Sequence, residues 1–211
     1  MHTTTGHEIA GRLLDIEAIK LNLDSPYTWS SGWKSPIYCD NRLSLSYPEI
    51  RTFIKDELVN AIKAKYSAVE CIAGVATAGI PQGALVAEAL GVPFIYVRAK
   101  PKGHGMENLI EGKAVAGQKV VIIEDLVSTG GSSLKAAEAL KANGMEVLGM
   151  LAIFTYGFEI ANENFKEAGI ELTCLSNYNL LVEEALKRDY ITEAHKASLE
   201  SWREDPANWS K

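Results

Sequence analysis

The chain has 211 residues, of which 47% are hydrophobic and 23% are charged, so its composition is that of a globular protein with a sizeable core. Its net charge of −6 at pH 7 argues against a nucleic-acid-binding protein, because such surfaces are usually basic. No apolar run approaches a length of about 18 residues, which crossing a bilayer requires, and the first residues have no signal-peptide pattern. The three cysteines, Cys39, Cys71 and Cys174, are far apart and odd in number, which indicates a reduced, cytoplasmic protein.

The first part of the chain is predicted to contain two helices separated by loops and short strands. Apolar residues at near-helical spacing predict an amphipathic helix over residues 7–20. Between residues 23 and 45, Ser, Gly, Pro and aromatic residues interrupt this pattern. Ser46 and Glu49 then have the spacing of a capping box, with Pro48 in the first turn, and predict a helix that continues to about Tyr66.

From residue 70 onward, apolar segments alternate with helical patterns. The predicted strands are residues 70–75, 92–98, 119–124, 145–154 and 171–175. The predicted helices are residues 81–90, 132–143 and 158–168, and the tail from residue 180 is also expected to be helical. This alternation is typical of a mostly parallel, twisted sheet with helices on both faces. We therefore predict one α/β domain over residues 1–211, with a small N-terminal annex before the core.

The most informative segment runs from Val120 to Ser133. Four aliphatic residues are followed by the carboxylates Glu124 and Asp125, and then by a loop of Ser, Thr and Gly that leads into a helix. Ligands bind at the carboxyl ends of strands in an open α/β sheet, and a Gly-containing turn at a helix start presents free N–H groups to a phosphate. A plain strand-to-helix connection capped by Ser would explain the loop alone, but not the paired acids before it. The segment is neither a P-loop nor a dinucleotide-binding fingerprint, because it lacks their Gly and Lys positions.

This segment resembles the phosphoribosyl pyrophosphate (PRPP) signature of type I phosphoribosyltransferases. The resemblance implies a sheet flanked by helices and transfer of ribose 5-phosphate from PRPP to a small base. It also implies that Glu124 and Asp125 contact the ribose hydroxyls and that the loop after them holds the 5-phosphate. The PRPP-binding residues expected here are Glu124, Asp125, Leu126, Val127, Ser128, Thr129, Gly130, Gly131 and Ser132.

Two further segments are expected to complete the PRPP site. The small residues of the turn Gly74–Pro81 permit close approach of an anion, and we expect Thr77 and Ala78 to contact the pyrophosphate; helix–sheet packing would explain the same turn. Residues 98–112 concentrate cations in an acidic chain and form a connection as long as many functional lids. In this loop we predict PRPP contacts from Arg98, Lys102 and His104, whereas a solvated basic surface loop is the alternative reading.

These two segments and residues 31–42 resemble the orotate phosphoribosyltransferases, over about residues 8–190. The resemblance implies transfer to orotate, giving orotidine 5′-monophosphate and pyrophosphate in pyrimidine (UMP) biosynthesis. It implies that about residues 1–45 contribute to a base-binding hood over a PRPP-binding core of about residues 46–180. The orotate-binding residues expected are Tyr38, Cys39, Ser128 and Tyr156, and the catalytic residues expected are Lys102, His104 and Asp125.

The same resemblance implies a cofactor and an assembly. Magnesium would be held mainly by substrate and water, near Asp125, rather than by a dedicated set of side chains. The protein would form a homodimer in which a loop of one subunit covers the active site of the other. Neither a nucleic acid nor a membrane is expected as a partner.

The sequence departs from well-known members of this family at several positions. Ala99 stands where many have a second cation, and Ala78 and Ser30 stand where some have lysine. Residues Phe154–Tyr156 replace a segment that often carries an orotate-binding arginine. Because the predicted catalytic residues remain, these differences indicate a branch of the family rather than loss of activity.

Three other functions agree with parts of the sequence. A purine or uracil phosphoribosyltransferase would have the same PRPP loop, although residues 102–105 and 31–42 argue against it. A non-enzymatic PRPP-sensing regulator would need a basic surface or an added DNA-binding domain, and a net charge of −6 offers little sign of either. A Rossmann-like domain for another nucleotide would carry the glycine fingerprint that is missing here.

Overall fold

The computed structural model describes residues 3–29, 32–100 and 109–209, and its N-terminal part consists of two helices separated by short strands. In chain order these elements are α1 (Thr3–Asp15), β1 (Ile19–Leu21), β2 (Tyr27–Thr28), β3 (Lys34–Ser35), β4 (Ile37–Cys39), a 3-10 helix (Asn41–Ser46) and α2 (Pro48–Lys65). Strand β1 pairs antiparallel with β4, and β2 pairs antiparallel with β3.

Two predicted boundaries in this region are wrong. The first helix ends at Asp15 rather than at residue 20: Glu17 has a positive φ of 55°, and Ile19 pairs with Cys39 in the β1–β4 ladder. Ser46 does not cap α2, because it is the last residue of the 3-10 helix, and the N-cap is Tyr47, whose side chain makes no capping bond. Pro48 does begin α2, where its missing N–H has no intrahelical partner to lose.

The core of the molecule is a six-stranded sheet. The elements that follow α2 are β5 (Cys71–Val75), α3 (Gly79–Leu90), β6 (Phe94–Val97), β7 (Ile110–Glu111), β8 (Lys119–Val127), α4 (Gly131–Ala142), β9 (Glu146–Thr155), α5 (Glu159–Glu167), β10 (Leu172–Asn177), α6 (Tyr178–Lys187) and α7 (Glu193–Glu204). The sheet order is β10–β9–β8–β5–β6–β7, and every pairing is parallel except that of β7 with β6. The predicted α/β class with a mostly parallel sheet is confirmed.

Both faces of the sheet are covered, because alternate residues of its strands point to opposite sides. Val121 and Ile123 of β8 belong to the apolar cluster that contains buried residues of α1, α2, α3, α6 and α7. Val120 and Ile122 belong to a second cluster with buried residues of α4 and α5. This double burial explains why the central strands read as almost continuous apolar runs.

The parallel strands β5, β6 and β8 point in one direction, so their carboxyl ends lie at one edge of the sheet. The turn into α3, the loop after β6 and the loop into α4 all leave the strands at this edge. No helix within the described ranges is long and apolar enough to cross a membrane.

Candidate active site

The loop between β8 and α4 has the geometry of an anion-binding site. In the described part of the chain, the backbone N–H groups of residues 128–133 donate no hydrogen bond within the protein. Ser128 and Thr129 are half-buried, whereas Gly131 and Ser132 are exposed at the first turn of α4. Free N–H groups at a helix start, together with neighbouring hydroxyls, form a site suited to a phosphate.

Gly130 is required by the shape of this loop. It is the N-cap of α4 and has φ 82°, in the left-handed region that favours glycine. A Cβ at this position would also lie 2.8 Å from the ring of Phe165 on α5. The same helix holds the loop through Asn164, whose Nδ2 donates to the carbonyl oxygen of Thr129 at 2.9 Å. Two residues of α5, Asn164 and Phe165, therefore lie against this loop.

The two carboxylates at the end of β8 differ in their surroundings. Glu124 is 5% exposed, and its Oε1 and Oε2 accept hydrogen bonds of 2.9 Å from the Asp125 backbone N–H and the Ser133 hydroxyl, respectively. Burial and the neighbouring charge of Asp125 raise the pKa of Glu124 to about 8, against the lowering effect of those two bonds. Burial also raises the pKa of Asp125, which is only half-buried. Asp125 is thus the more accessible acid, and burial favours the protonated form of Glu124.

The turn between β5 and α3 lies directly against the end of β8. A Cβ on Gly79 would lie only 2.4 Å from the carbonyl oxygen of Ile123, so no larger residue fits without moving the backbone. Thr77 is exposed in this turn and Ala78 is the N-cap of α3. The peptide bond between Ala76 and Thr77 is cis. The predicted pyrophosphate turn and the predicted ribose-binding acids are therefore neighbours in space.

Arg98, directly after β6, is positioned by two contacts. Its backbone N–H donates to the Leu109 carbonyl at 2.8 Å, and its Nη1 lies 3.3 Å from Glu111 Oε1. A cavity of about 620 Å³ is bordered by Arg98, Ala76 and Ser132, one residue from each of the three predicted PRPP segments. Lys102 and His104 lie outside the described residues.

A second cavity, of about 580 Å³, adjoins the phosphate-type loop, and we call it the base cavity. The residues that line it are Thr28, Trp29, Trp33, Tyr38, Cys39, Leu126, Ser128, Thr129 and Tyr156. All four residues predicted to contact orotate are among them: Tyr38 and Cys39 from β4, Ser128 from the loop, and Tyr156 after β9. The structure thus brings together residues that are far apart in the sequence.

The described residues that line the base cavity are uncharged, and four of them are aromatic. The rings of Trp29 and Tyr156 lie 5.0 Å apart, and Tyr156 also stacks on Phe158 at 5.6 Å. Burial raises the pKa of the Tyr156 hydroxyl and of the Cys39 thiol well above their usual values, so both groups are neutral at neutral pH. Such a cavity suits a flat ring.

One partly buried polar contact joins the N-terminal region to the end of β8. Asn41, which is 2% exposed, donates from Nδ2 to the main-chain carbonyl of Asp125 at 2.8 Å, and its Oδ1 accepts from the Cys39 thiol at 3.4 Å. From here on the name hood is restricted to residues 19–45, which run from β1 into the 3-10 helix. Asn41 therefore links a base-cavity wall to the strand that carries both acids.

Several residues of the site were not predicted from the sequence. Thr28 and Trp29 line the base cavity and lie outside every segment that was predicted to bind a substrate. Trp33, which lines the cavity, and Asn41, which supports Asp125, lie in the predicted base-binding segment 31–42 but were given no individual role. The tryptophans carried the only usable signal, because aromatic residues in a Gly- and Pro-rich loop segment have no helix or strand core to fill. A buried asparagine in a 3-10 helix has no comparable signal.

The side chains at the end of β8 fit a hard cation in part. Carboxylates supply the oxygen ligands that Mg²⁺ prefers, and Glu124 and Asp125 are adjacent there. Over the described ranges, no group of three or more His, Cys, Asp and Glu side chains could hold a metal ion together.

The fold and the phosphate-type loop define a domain that transfers phosphoribosyl groups. A sequence model of the family described as "Phosphoribosyl transferase domain" matches residues 46–170, which is more than half of the chain. The chain is also 59% identical to an orotate phosphoribosyltransferase of Cytophaga hutchinsonii, over 97% of this chain and 98% of that one. The chain belongs to the orotate phosphoribosyltransferase family.

Solved structures agree with this assignment. The crystal structure of orotate phosphoribosyltransferase from Aeropyrum pernix is similar with a TM-score of 0.75 and 30% identity, covering 87% of this chain and 99% of that one. The structure of Leishmania donovani UMP synthase gives a TM-score of 0.78 and 27% identity, covering 94% of this chain and 42% of that longer chain.

Proposed function

We propose that this protein is an orotate phosphoribosyltransferase of pyrimidine biosynthesis. It transfers ribose 5-phosphate from PRPP to orotate and yields orotidine 5′-monophosphate and pyrophosphate. The observation that carries the proposal is that Ser128 and Thr129 belong to the phosphate-type loop and also line the base cavity. A base in this cavity would therefore lie beside a sugar phosphate held by the loop.

The reaction sets an electrostatic task. As the bond between C1 of the ribose and the pyrophosphate breaks, positive charge develops on the sugar and negative charge on the leaving group. A ring nitrogen of orotate forms the new bond to C1, and the proton on that nitrogen is released. Arg98, Lys102 and His104 supply cationic donors for the leaving group. Asp125 and Glu124 lie at the strand end where the ribose hydroxyls would bind, and the N–H groups of residues 128–132 hold the 5-phosphate. Closure of residues 98–112 over the site would exclude water from the reacting carbon.

Magnesium is the cofactor that we propose for this site. When bound, it would supply positive charge that neutralises the developing charge of the pyrophosphate. Asp125 would hold it directly or through water, because Mg²⁺ usually binds one or two carboxylates and takes its other ligands from substrate phosphates and water.

We further propose a cytoplasmic homodimer with shared active sites. Cys39, Cys71 and Cys174 are free thiols, which favours a reducing compartment. The dimer rests on the family resemblance of residues 98–112. Mixing a chain that carries Lys102→Ala with one that carries Gly130→Ala tests the sharing, since mixed dimers with one intact site should recover part of the activity. If no mixing ratio restores activity, the result would contradict shared active sites.

An absorbance assay that follows the consumption of orotate in the presence of PRPP and Mg²⁺ tests the proposed function. Adenine, hypoxanthine and uracil in parallel reactions distinguish it from the related base specificities. We expect turnover with orotate and no turnover with the other three bases. Turnover with another base instead would reassign the substrate, and PRPP binding without any turnover would favour a sensor.

A further inference from the structure

We propose that Trp202 of the C-terminal helix α7 is a positioning residue that holds the aromatic walls of the base cavity in place. The proposal rests on the proposed function, because it assigns Trp202 to the orotate side of that reaction and not to the PRPP side. Trp202 itself does not line the cavity.

The first observation is the contact of Trp202 with the cavity walls. Its side chain is completely buried. Its ring meets those of Trp29 and Tyr156 nearly edge-on, with centroid distances of 5.5 Å and 5.7 Å. Trp29 belongs to the hood and Tyr156 follows β9. The ring of Trp202 therefore contacts cavity residues from two separate parts of the chain.

The second observation is a hydrogen bond from the same ring to the hood. Trp202 Nε1 donates to the main-chain carbonyl of Lys34 at 3.1 Å. Lys34 lies in β3, whose antiparallel partner β2 contains the cavity residue Thr28. The bond therefore fixes the hairpin that forms one side of the cavity, and Trp29 completes this side by donating from Nε1 to the Ile37 carbonyl at 3.2 Å.

The third observation is that α7 is itself fixed to the core. Trp202 packs on Phe158 and Tyr178, with ring centroids 5.5 Å and 5.4 Å away, and Tyr178 donates from its hydroxyl to the Leu199 carbonyl at 3.1 Å. Tyr178 begins α6, directly after the edge strand β10. The ring of Trp202 thus connects the hood to residues that follow β9 and β10.

The hood and α7 are separate in sequence from the segments that are predicted to bind PRPP. The match to the phosphoribosyltransferase domain covers residues 46–170, and both the hood and α7 lie outside it. The loop at residues 128–132 and the turn at residues 76–79 lie inside it. Loosening the contact between the hood and α7 should therefore disturb the base and leave PRPP binding intact.

The test compares Michaelis constants for the two substrates in the full-length enzyme. Trp202→Phe keeps an aromatic ring but removes the N–H donor, and we expect it to raise KM for orotate about three- to tenfold, the effect of losing roughly one hydrogen bond, with KM for PRPP changed less than about twofold. Trp202→Leu also removes the ring contacts and should raise KM for orotate further. Leu199→Ala is the matched control, because Leu199 is equally buried on α7. It should lower the melting temperature without a selective effect on orotate.

The outcomes separate this inference from the proposed function. Wild-type enzyme that fails to consume orotate would overturn the function itself. Active Trp202→Phe enzyme with an unchanged KM for orotate, or with both KM values raised equally, would overturn only the positioning role. A selective orotate defect of similar size in Leu199→Ala would also overturn it, since general loosening of α7 would then be sufficient. Should Trp202→Leu not fold, the Trp202→Phe and Leu199→Ala pair decides the question.

Discussion

The side-chain amide of Asn41 donates a 2.8 Å hydrogen bond to the main-chain carbonyl of Asp125, across 84 positions of sequence. This bond lies between the base cavity and the acids at the end of β8, so the hood and the PRPP site share one support. The bond is partly buried, so it is costly to break, because a shielded carbonyl left without a donor loses hydration uncompensated.

We expect Asn41→Ala to reduce both stability and catalysis. The free energy of unfolding should fall by about 1–3 kcal/mol, measured by urea denaturation, and kcat/KM for PRPP should fall as Asp125 loses its support. Asn143→Ala is the matched control, because Asn143 makes the same kind of bond, from Nδ2 to the Ala139 carbonyl at 2.9 Å, at an exposed helix end. Equal effects of the two substitutions would argue against a special role for Asn41.

A second prediction concerns the pH dependence of stability. Burial raises the pKa of Glu124 to about 8 in the folded protein, from an ordinary value of 4.5. The folded state therefore binds more protons than the unfolded state between these values, and the free energy of unfolding falls as pH rises from about 4.5 to 8. Glu124→Gln should flatten this part of the profile and increase stability above pH 8, while impairing catalysis.

The control for this measurement has the opposite sign. Lys65 and Tyr66 lower the pKa of Glu171, an exposed carboxyl group, by hydrogen bonding. Its small contribution to stability is present above pH 4.5 and is lost as pH falls further. Glu171→Gln should therefore change the profile only on the acid side. An unchanged slope between pH 4.5 and 8 in Glu124→Gln would contradict the buried, protonated state of Glu124.

The parts of the site that could be predicted from the sequence are those whose residues are adjacent in the chain. The strand, acids and glycine loop at residues 120–133 are adjacent in the chain, so one segment specifies both their structure and their chemistry. The base cavity is different, because Trp29, Tyr156 and their support Trp202 meet only through tertiary packing. Four cavity residues were found through family resemblance and not from local pattern. Local pattern also gave a wrong prediction at Ile19. Its spacing matched the first helix, but Ile19 pairs with Cys39 in a strand.

The third prediction uses two neighbouring glycines of the phosphate-type loop. Gly130→Ala places a side chain at φ 82° and against the Phe165 ring, so we expect a loss of roughly 1–3 kcal/mol in the free energy of unfolding and a higher KM for PRPP. Gly131→Ala meets open space in the first turn of α4 and should change stability by less than about 1 kcal/mol. Equal stability of both variants in urea denaturation would show that the loop tolerates a side chain at residue 130.

The fourth prediction concerns the cations of residues 98–112. Lys102→Ala should lower kcat about 100- to 1000-fold, the usual effect of removing a donor to charge that develops in the transition state, while PRPP binding survives better. Lys100→Ala is the control two residues away; Lys100 is exposed, and its removal should lower kcat less than about tenfold. Single-turnover rates check this, and wild-type turnover in Lys102→Ala would count heavily against the catalytic role.

The last prediction concerns the carboxylate of orotate. No Lys or Arg lines the base cavity in the described part of the chain, but Lys34 Nζ lies 2.8 Å from the hydroxyl oxygen of the cavity residue Thr28. Lys34 is therefore placed to meet an anionic group at the cavity mouth. We expect Lys34→Gln to raise KM for orotate up to about fivefold, because an exposed ion pair contributes up to about 1 kcal/mol, and to leave KM for PRPP unchanged.

Salt and a matched lysine distinguish this charge effect from a change in shape. Raising the ionic strength should weaken orotate binding in the wild type and have less effect in Lys34→Gln, because the screened interaction is already absent. Lys63, exposed in the last turn of α2, does not line the cavity, so Lys63→Gln should preserve both KM values and the salt dependence. If Lys34→Gln keeps the wild-type KM for orotate at low salt, the carboxylate must be neutralised by another group.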